Sequence, residues 1–263
     1  MNNKAPIGIF DSGVGGTSIW KEVHKLLPYE DTVYLADSAN APYGNKSKQD
    51  ILSLCIKNTE HLISIGCKII IIACNTATTN AIAYLRNQYQ IPFIGIEPAI
   101  KPAALMSRTN SIGILATKGT LSSQLFHETS KALALEINIT EVVGEGLVPL
   151  IENGEMDSPQ TTTLLEKYLK PMLAANIDHL VLGCSHYPYL IKQLKKLLPN
   201  NIQIIDSGLA VAKQTQLVLD SKDLLSTRVS KPKLEFYTNS HSATLKFLLE
   251  PYQESIIITE KSF

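Results

Sequence analysis

The sequence has no surplus of either charge: Lys plus Arg and Asp plus Glu each number 24 in 263 residues, so the formal net charge is zero. Without a basic excess there is no electrostatic case for binding nucleic acid or an anionic membrane. Long apolar runs are also missing. The longest aliphatic stretch, Ile69–Ala73, is far too short to cross a bilayer. The opening MNNKAPIGIF enters a strand-like run at once, with neither a signal-peptide apolar region nor an acid-poor transit segment, so a cytoplasmic protein is expected. Cysteine is scarce. The four present (Cys55, Cys67, Cys74 and Cys184) form no C-x-x-C pair and fit neither a disulfide framework nor a zinc site. In a reducing compartment each is expected to be a free thiol.

What is present is a globular composition, 44% hydrophobic, sufficient for one large or two medium cores. Short apolar runs alternate with amphipathic stretches, the pattern of an α/β fold on largely parallel sheets. Strands are predicted at Ile7–Phe10, Thr32–Ala36, Lys68–Ala73, Phe93–Glu97, Ser111–Ala116, Ile139–Val143, His179–Gly183, Gln203–Asp206 and Leu234–Tyr237. Ser47 with Asp50 three residues on resembles a capping box for a helix ending near Gly66. Ser158-Pro159 reads as an N-cap with proline at the first helical position.

An internal echo says more than any single element. Ile7-Gly-Ile-Phe returns as Ile112-Gly-Ile-Leu, about 105 residues later. Ile71-Ile-Ala-Cys-Asn-Thr returns as Val181-Leu-Gly-Cys-Ser-His, which sets Cys74 and Cys184 about 110 residues apart. Two echoes in one order at nearly one offset predict two pseudo-symmetric three-layer lobes with the active site in the cleft between them. Residues 1–97 plus 208–263 would form the lobe carrying Asp11, Tyr43 and Cys74. Residues 98–207 would form the lobe carrying Thr117, Glu152, Cys184 and His186. Each lobe would then place a cysteine at the carboxyl end of a strand, where open α/β sheets bind ligands.

A thiol at a strand end beside a helix N-terminus gains thiolate character from backbone N–H groups and the helix dipole. Asn75-Thr76 are plausible caps for the helix after Cys74. Two such thiols facing each other suit the inversion of a stereocentre, since one group must remove a proton from one face while another delivers one to the opposite face. Cys55, in an apolar helical stripe, and Cys67, at a helix-to-strand joint, read as small buried hydrophobes. The loop Asp11-Ser12-Gly13-Val14-Gly15-Gly16-Thr17 fails the dinucleotide fingerprint, because its third glycine would fall at Ser18. It is expected instead to admit a small anion, with Asp11 and Ser12 pointing into the cleft. Taken singly, several of these residues have ordinary readings. Asp11 would be a helix cap, the Pro42-Tyr43-Gly44 stretch a turn, Glu152 a solvated helix-end residue and His186 a structural histidine.

Together the motifs are more specific. Phe10-Asp-Ser-Gly-Val-Gly-Gly, Asp37-Ser with Pro42-Tyr-Gly, Ala73-Cys-Asn-Thr-Ala, Gly95-Ile-Glu-Pro and Gly183-Cys-Ser-His-Tyr-Pro closely resemble the glutamate racemase family, in family order and over nearly the whole chain. The resemblance implies an isomerase that supplies D-glutamate for peptidoglycan without pyridoxal phosphate, metal or nucleotide. Its partner would be a small-molecule substrate, glutamate, with a homodimer as the candidate assembly. Carried over by position, Cys74 and Cys184 match the two catalytic bases. Asp11-Ser12, Tyr43-Gly44, Asn75-Thr76 and Ser185-His186 match substrate-binding pairs, and Thr117 matches a substrate contact. Asp11 and His186 also match residues that assist the cysteines, and Glu152 a further polar residue near the site. Ser185 departs from the family's usual threonine, which bears on substrate selectivity. The lobes would have to close over substrate, bending near Glu97-Pro98 and Asp206–Gly208. Three alternatives remain: an aspartate or related racemase, a non-catalytic binder of acidic ligands, and a thiol redox or metal role for Cys184-x-His186.

Overall fold

The computed structural model describes residues 2–133 and 137–263. Its strands are β1 (Ile7–Asp11), β2 (Thr32–Ala36), β3 (Ile69–Ile72), β4 (Phe93–Gly95), β5 (Ser111–Ala116), β6 (Asn138–Val143), β7 (His179–Gly183), β8 (Gln203–Ile205), β9 (Leu234–Thr238) and β10 (Ile256–Glu260). Between them run helices α1 (Thr17–Leu26), α2 (Lys48–Ile65), α3 (Asn75–Gln88), α4 (Ile100–Met106), α5 (Lys118–Leu121) and α6 (Gln124–Leu133). The later helices are α7 (Leu147–Glu152), α8 (Pro159–Ala174), α9 (Ile191–Leu197), α10 (Gly208–Ser221) and α11 (Ala243–Leu248). Among the described residues no helix is long and apolar enough to cross a membrane.

The strands form two sheets, and every strand pair among the described residues is parallel. One sheet is ordered β10-β9-β2-β1-β3-β4 and the other β6-β5-β7-β8. The echo in the sequence is therefore architectural: β2-β1-β3-β4 and β6-β5-β7-β8 are the same winding made twice. Each echoing Ile-Gly strand lies second in its set, where a glycine lets a helix approach closely. A Cβ on Gly8 would lie 2.9 Å from Cys67 Sγ, and one on Gly113 would lie 2.9 Å from Met172 Sδ. Parallel strands covered on both faces read as continuous apolar runs, and all four isoleucines of β3 are buried. One apolar cluster runs from α1 and the inner face of β1 and β3 to α8 and the inner face of β7. The outer faces are closed by separate clusters, one under α2 and α3 and one under α4 and α6.

The two helix starts read from sequence are capped as expected. Asp50 N–H donates to Ser47 Oγ at 3.1 Å, and Gly66 closes α2 at φ 89°. Ser158 caps α8 with Pro159 at its first position. The strand β10 was not foreseen, and it extends the larger sheet beyond β9. The chain crosses between sheets after β4 and again after β8. These crossings touch, with Ser207 Oγ donating to Glu97 O at 2.5 Å.

Candidate active site

Chain order reverses within each four-strand set, between β1 and β3 and between β5 and β7. At such a switch point the loops leaving the carboxyl ends diverge and open a crevice. Asp11 and Ser12 leave β1, Cys74 leaves β3, Thr117 leaves β5 and Cys184 leaves β7, so the two crevices supply corresponding positions. They meet in one small, nearly filled cavity of about 10 Å³. Ser12, Tyr43, Gly44, Cys74, Asn75 and Thr76 border it from one side. Thr117, Cys184, Ser185 and His186 border it from the other, with Pro42 and Val148 completing the wall.

Both thiols thus line one small space. Cys74 is itself the N-cap of α3, in place of the expected Asn75-Thr76: its Sγ accepts from Ala77 N–H at 3.4 Å and lies 3.6 Å from Ser12 Oγ. The helix terminus does favour thiolate there, through Ala77 N–H, but other effects outweigh it. Burial first, and the Asp11 carboxylate second, hold the Cys74 thiol far above its ordinary value, outweighing its hydrogen bonds with Ala77 and Ser12. Cys184 is placed differently. Its Sγ lies 3.7 Å from His186 Nδ1, and His186 Nε2 lies 2.5 Å from Glu152 Oε1. Burial alone would lower the His186 imidazole, but hydrogen bonds and charge from Cys184 and Glu152 win and hold it well above its usual range. An imidazolium there sets a positive charge 3.7 Å from Cys184 Sγ.

Glu152 is no solvated helix end. Oε1 also accepts from Val14 N–H at 2.8 Å, Oε2 accepts from Ser38 Oγ at 3.2 Å, and its main-chain oxygen accepts from Thr244 Oγ1 at 2.6 Å. The side chain at the end of α7 therefore ties the His186 loop to the loops after β1 and β2. The glycines after Asp11 serve this packing. A Cβ on Gly13 would lie 2.0 Å from Glu152 Oε1, and one on Gly15 would lie 2.3 Å from His186 Nδ1. None of Gly13, Gly15 and Gly16 has positive φ, so their use is close approach and not backbone freedom.

Asp11, expected to point into the cleft, lies behind the cavity wall and is fully buried. Its Oδ2 accepts from Gly13 and Gly16 N–H at 3.1 and 3.0 Å, and Oδ1 accepts from Ser185 Oγ at 3.1 Å. Burial raises its carboxyl, with the nearby His186 charge pulling the other way. Tyr43 and Gly44 both border the cavity, with the Tyr43 hydroxyl donating to Asp37. Asn75 is buried with both side-chain polar atoms unpartnered beside the cavity, an arrangement a polar ligand would satisfy. Thr76, Thr117 and Thr120 close a hydroxyl ring across the cleft, with Oγ1 separations of 2.8, 3.3 and 3.0 Å. Thr120 and Val148 were not singled out from sequence. The Thr117-Lys-Gly-Thr spacing on a short helix was the only signal for Thr120, and Val148 carried none. Among the described residues no group of three or more His, Cys, Asp or Glu side chains is disposed to hold a metal ion.

Known proteins share this fold. The family model for Asp/Glu/hydantoin racemases matches residues 15–215. The chain belongs to the Asp/Glu/hydantoin racemase family. A glutamate racemase of Ectopseudomonas mendocina is 45% identical over 227 residues, covering 86% of each chain. Among solved structures, a glutamate racemase isoform of Bacillus anthracis superposes with a TM-score of 0.89 at 29% identity, over 100% of this chain and 99% of its own. A Francisella tularensis glutamate racemase in complex with D-glutamate gives 0.85 at 29% identity, over 99% and 98%. Within the racemase frame, every lining residue is a small hydroxyl, amide, thiol or imidazole group, or an apolar or main-chain surface. Those groups can orient a small zwitterion and move a proton at its carbon.

Proposed function

We propose that this racemase interconverts L- and D-glutamate by proton transfer between Cα and two cysteines, without a cofactor, and supplies D-glutamate for peptidoglycan in the cytoplasm. The observation that carries the reading is the paired placement of Cys74 and Cys184, at equivalent strand ends of a twice-made winding, on one cavity. The names of the similar proteins support glutamate as substrate.

In this reading the lobes, residues 1–97 with 208–263 and residues 98–207, hold the amino acid between them. Asn75, Thr76, Thr117 and Ser185 hydrogen-bond the α-carboxylate, and the Tyr43–Gly44 main chain serves the distal carboxylate. Asp11 acts through Ser185 and, by its charge, favours the ammonium. A thiolate at Cys184, facing the His186 imidazolium, removes the Cα proton. The Cys74 thiol, which burial keeps protonated, delivers its own proton to the opposite face. The product leaves Cys74 as thiolate and Cys184 as thiol, the state that begins the reverse direction. The Cα–H bond is a very weak acid, so donors preorganised around the developing charge and the exclusion of water must provide most of the stabilisation.

The test is optical. Purified protein with EDTA and L- or D-glutamate should bring either enantiomer to the same zero rotation, followed by circular dichroism, while aspartate is turned over far more slowly. Equal turnover of aspartate, or binding of glutamate without any decay of ellipticity, would overturn the assignment.

A further inference from the structure

The carboxylate of Asp37 is fully buried at the end of β2 and collects four donors. Asn40 Nδ2 and Asn239 Nδ2 donate to Oδ1 at 2.7 and 2.5 Å. The Tyr43 hydroxyl donates to Oδ2, and Asn58 Nδ2 donates to the same oxygen at 3.5 Å and to the Tyr43 hydroxyl at 3.2 Å. Three of these donors lie on the loop itself or on α2 just after it. The fourth, Asn239, arrives from the far end of the chain, in the turn between β9 and α11, beyond the residues matched by the family model.

Asn239 uses both ends of its amide. While Nδ2 donates to Asp37, Oδ1 accepts from Ala39 N–H at 2.9 Å. One planar group thus clips the 38–40 turn from outside, and β9 holds the clip in place through its parallel pairing with β2. The loop runs on from that turn to Tyr43 and Gly44, both of which border the cavity. There Gly44 meets the other lobe, where a Cβ added to it would lie 3.0 Å from Thr117 Cβ. Since the Tyr43 hydroxyl is engaged with Asp37, the position of the 43–44 main chain depends on how Asp37 and its turn are held.

We propose that Asn239 is a positioning residue for substrate binding, setting the Tyr43–Gly44 main chain in the cavity by clipping the Asp37–Ala39 turn. The proposal rests on the racemase reading for its kinetic readout, and the Asn239 amide offers both a donor to Asp37 and an acceptor for Ala39. Leucine removes both bonds at similar volume. Aspartate keeps the acceptor but places a second carboxylate against Oδ1 of Asp37. Both changes act on a half-buried side chain at the rim, so the cores stay intact.

The experiment compares Asn239→Leu and Asn239→Asp with wild type in three measurements: racemisation kinetics on glutamate, thermal melting, and amide hydrogen exchange resolved at Lys46, whose N–H donates to Tyr43 O at 3.0 Å. Loss of a ground-state binding element should raise KM about tenfold while kcat stays within about twofold, with the larger effect in Asn239→Asp. Exchange at Lys46 should quicken in both variants while that at Ala77, on the cleft-side start of α3, stays unchanged. Folded variants with wild-type KM and wild-type Lys46 exchange would overturn the proposal. So would a loss of kcat and melting temperature together with unchanged Lys46 exchange, the mark of a purely structural role. If wild type does not racemise glutamate, the functional reading fails by itself, and Lys46 exchange still decides whether Asn239 sets the loop.

Discussion

Replacing Glu152 by glutamine removes one charge and leaves nearly all the contacts. The side chain is 15% exposed and His186 1%, so solvent screens their interaction little. Glutamine keeps an acceptor oxygen for Val14 N–H and for His186 Nε2, which sit 2.8 and 2.5 Å from Oε1. What changes is the strength of the bond to His186. Hydrogen bonds to charged groups contribute about 1.5–3 kcal/mol and neutral ones about 0.5–1.5, so roughly 1–2 kcal/mol of support for the imidazolium is lost. At about 1.4 kcal/mol per unit, that moves the His186 titration down by roughly one unit. The sign follows from the direction of its shift. His186 is held above its ordinary value, so the protonated form is complete at low pH and is lost as pH rises through the folded value. Activity needing that imidazolium should fall on the alkaline side, and in Glu152→Gln the fall should begin about one unit lower. At a pH on that limb kcat/KM should drop by roughly tenfold, while the melting temperature falls by about 2–8 °C. Initial rates by circular dichroism across the alkaline range measure this. An unshifted limb with an unchanged rate would refute the reasoning that Glu152 acts through His186.

A methyl group at Gly15 would stand 2.3 Å from His186 Nδ1, a ring held on both sides by Cys184 and Glu152. Gly15→Ala should therefore cost at least about a hundredfold in kcat/KM with a folded protein, and near wild-type rates would show that the ring tolerates displacement. Lys68 is buried with Glu30 at 2.5 Å and donates to Leu224 O and Asn3 O at 2.8 Å, far from the cavity. Lys68→Met should destabilise by about 3–5 kcal/mol through the unpaired Glu30, leaving kcat of the folded fraction unchanged. A denaturant titration with an unchanged midpoint would contradict that.

The repeated winding was legible because each Ile-Gly strand and each strand ending in Cys is a local pattern, and β7 and its thiol fall where the echo put them. The helix boundaries at Ser47, Gly66 and Ser158 were legible for the same reason: a cap is written within four residues of sequence. The resemblance set Glu152 near the site, but its contacts were not legible, because its partners Val14, Ser38 and His186 are distant in the chain and only folding brings them to one carboxylate. The glycines after Asp11 suggested space for an anion, yet the side chains that fill that space come from the other lobe. The capping of α3 by Cys74 itself was hidden by better cappers in the next two positions. β10 escaped because its half-exposed Ile256–Glu260 has neither a buried run nor clean alternation, and it is held as an edge strand by pairing to β9.

The central claim is that one proton donor or acceptor stands on each face of the substrate carbon. Its most direct test follows racemisation of each glutamate enantiomer in Cys74→Ala and in Cys184→Ala, with folding checked by far-ultraviolet circular dichroism and substrate binding by calorimetry. The account expects both variants to bind glutamate and to lose racemisation in both directions, because either missing thiol breaks the relay. Near wild-type turnover by either folded variant, in either direction, would contradict the two-base scheme.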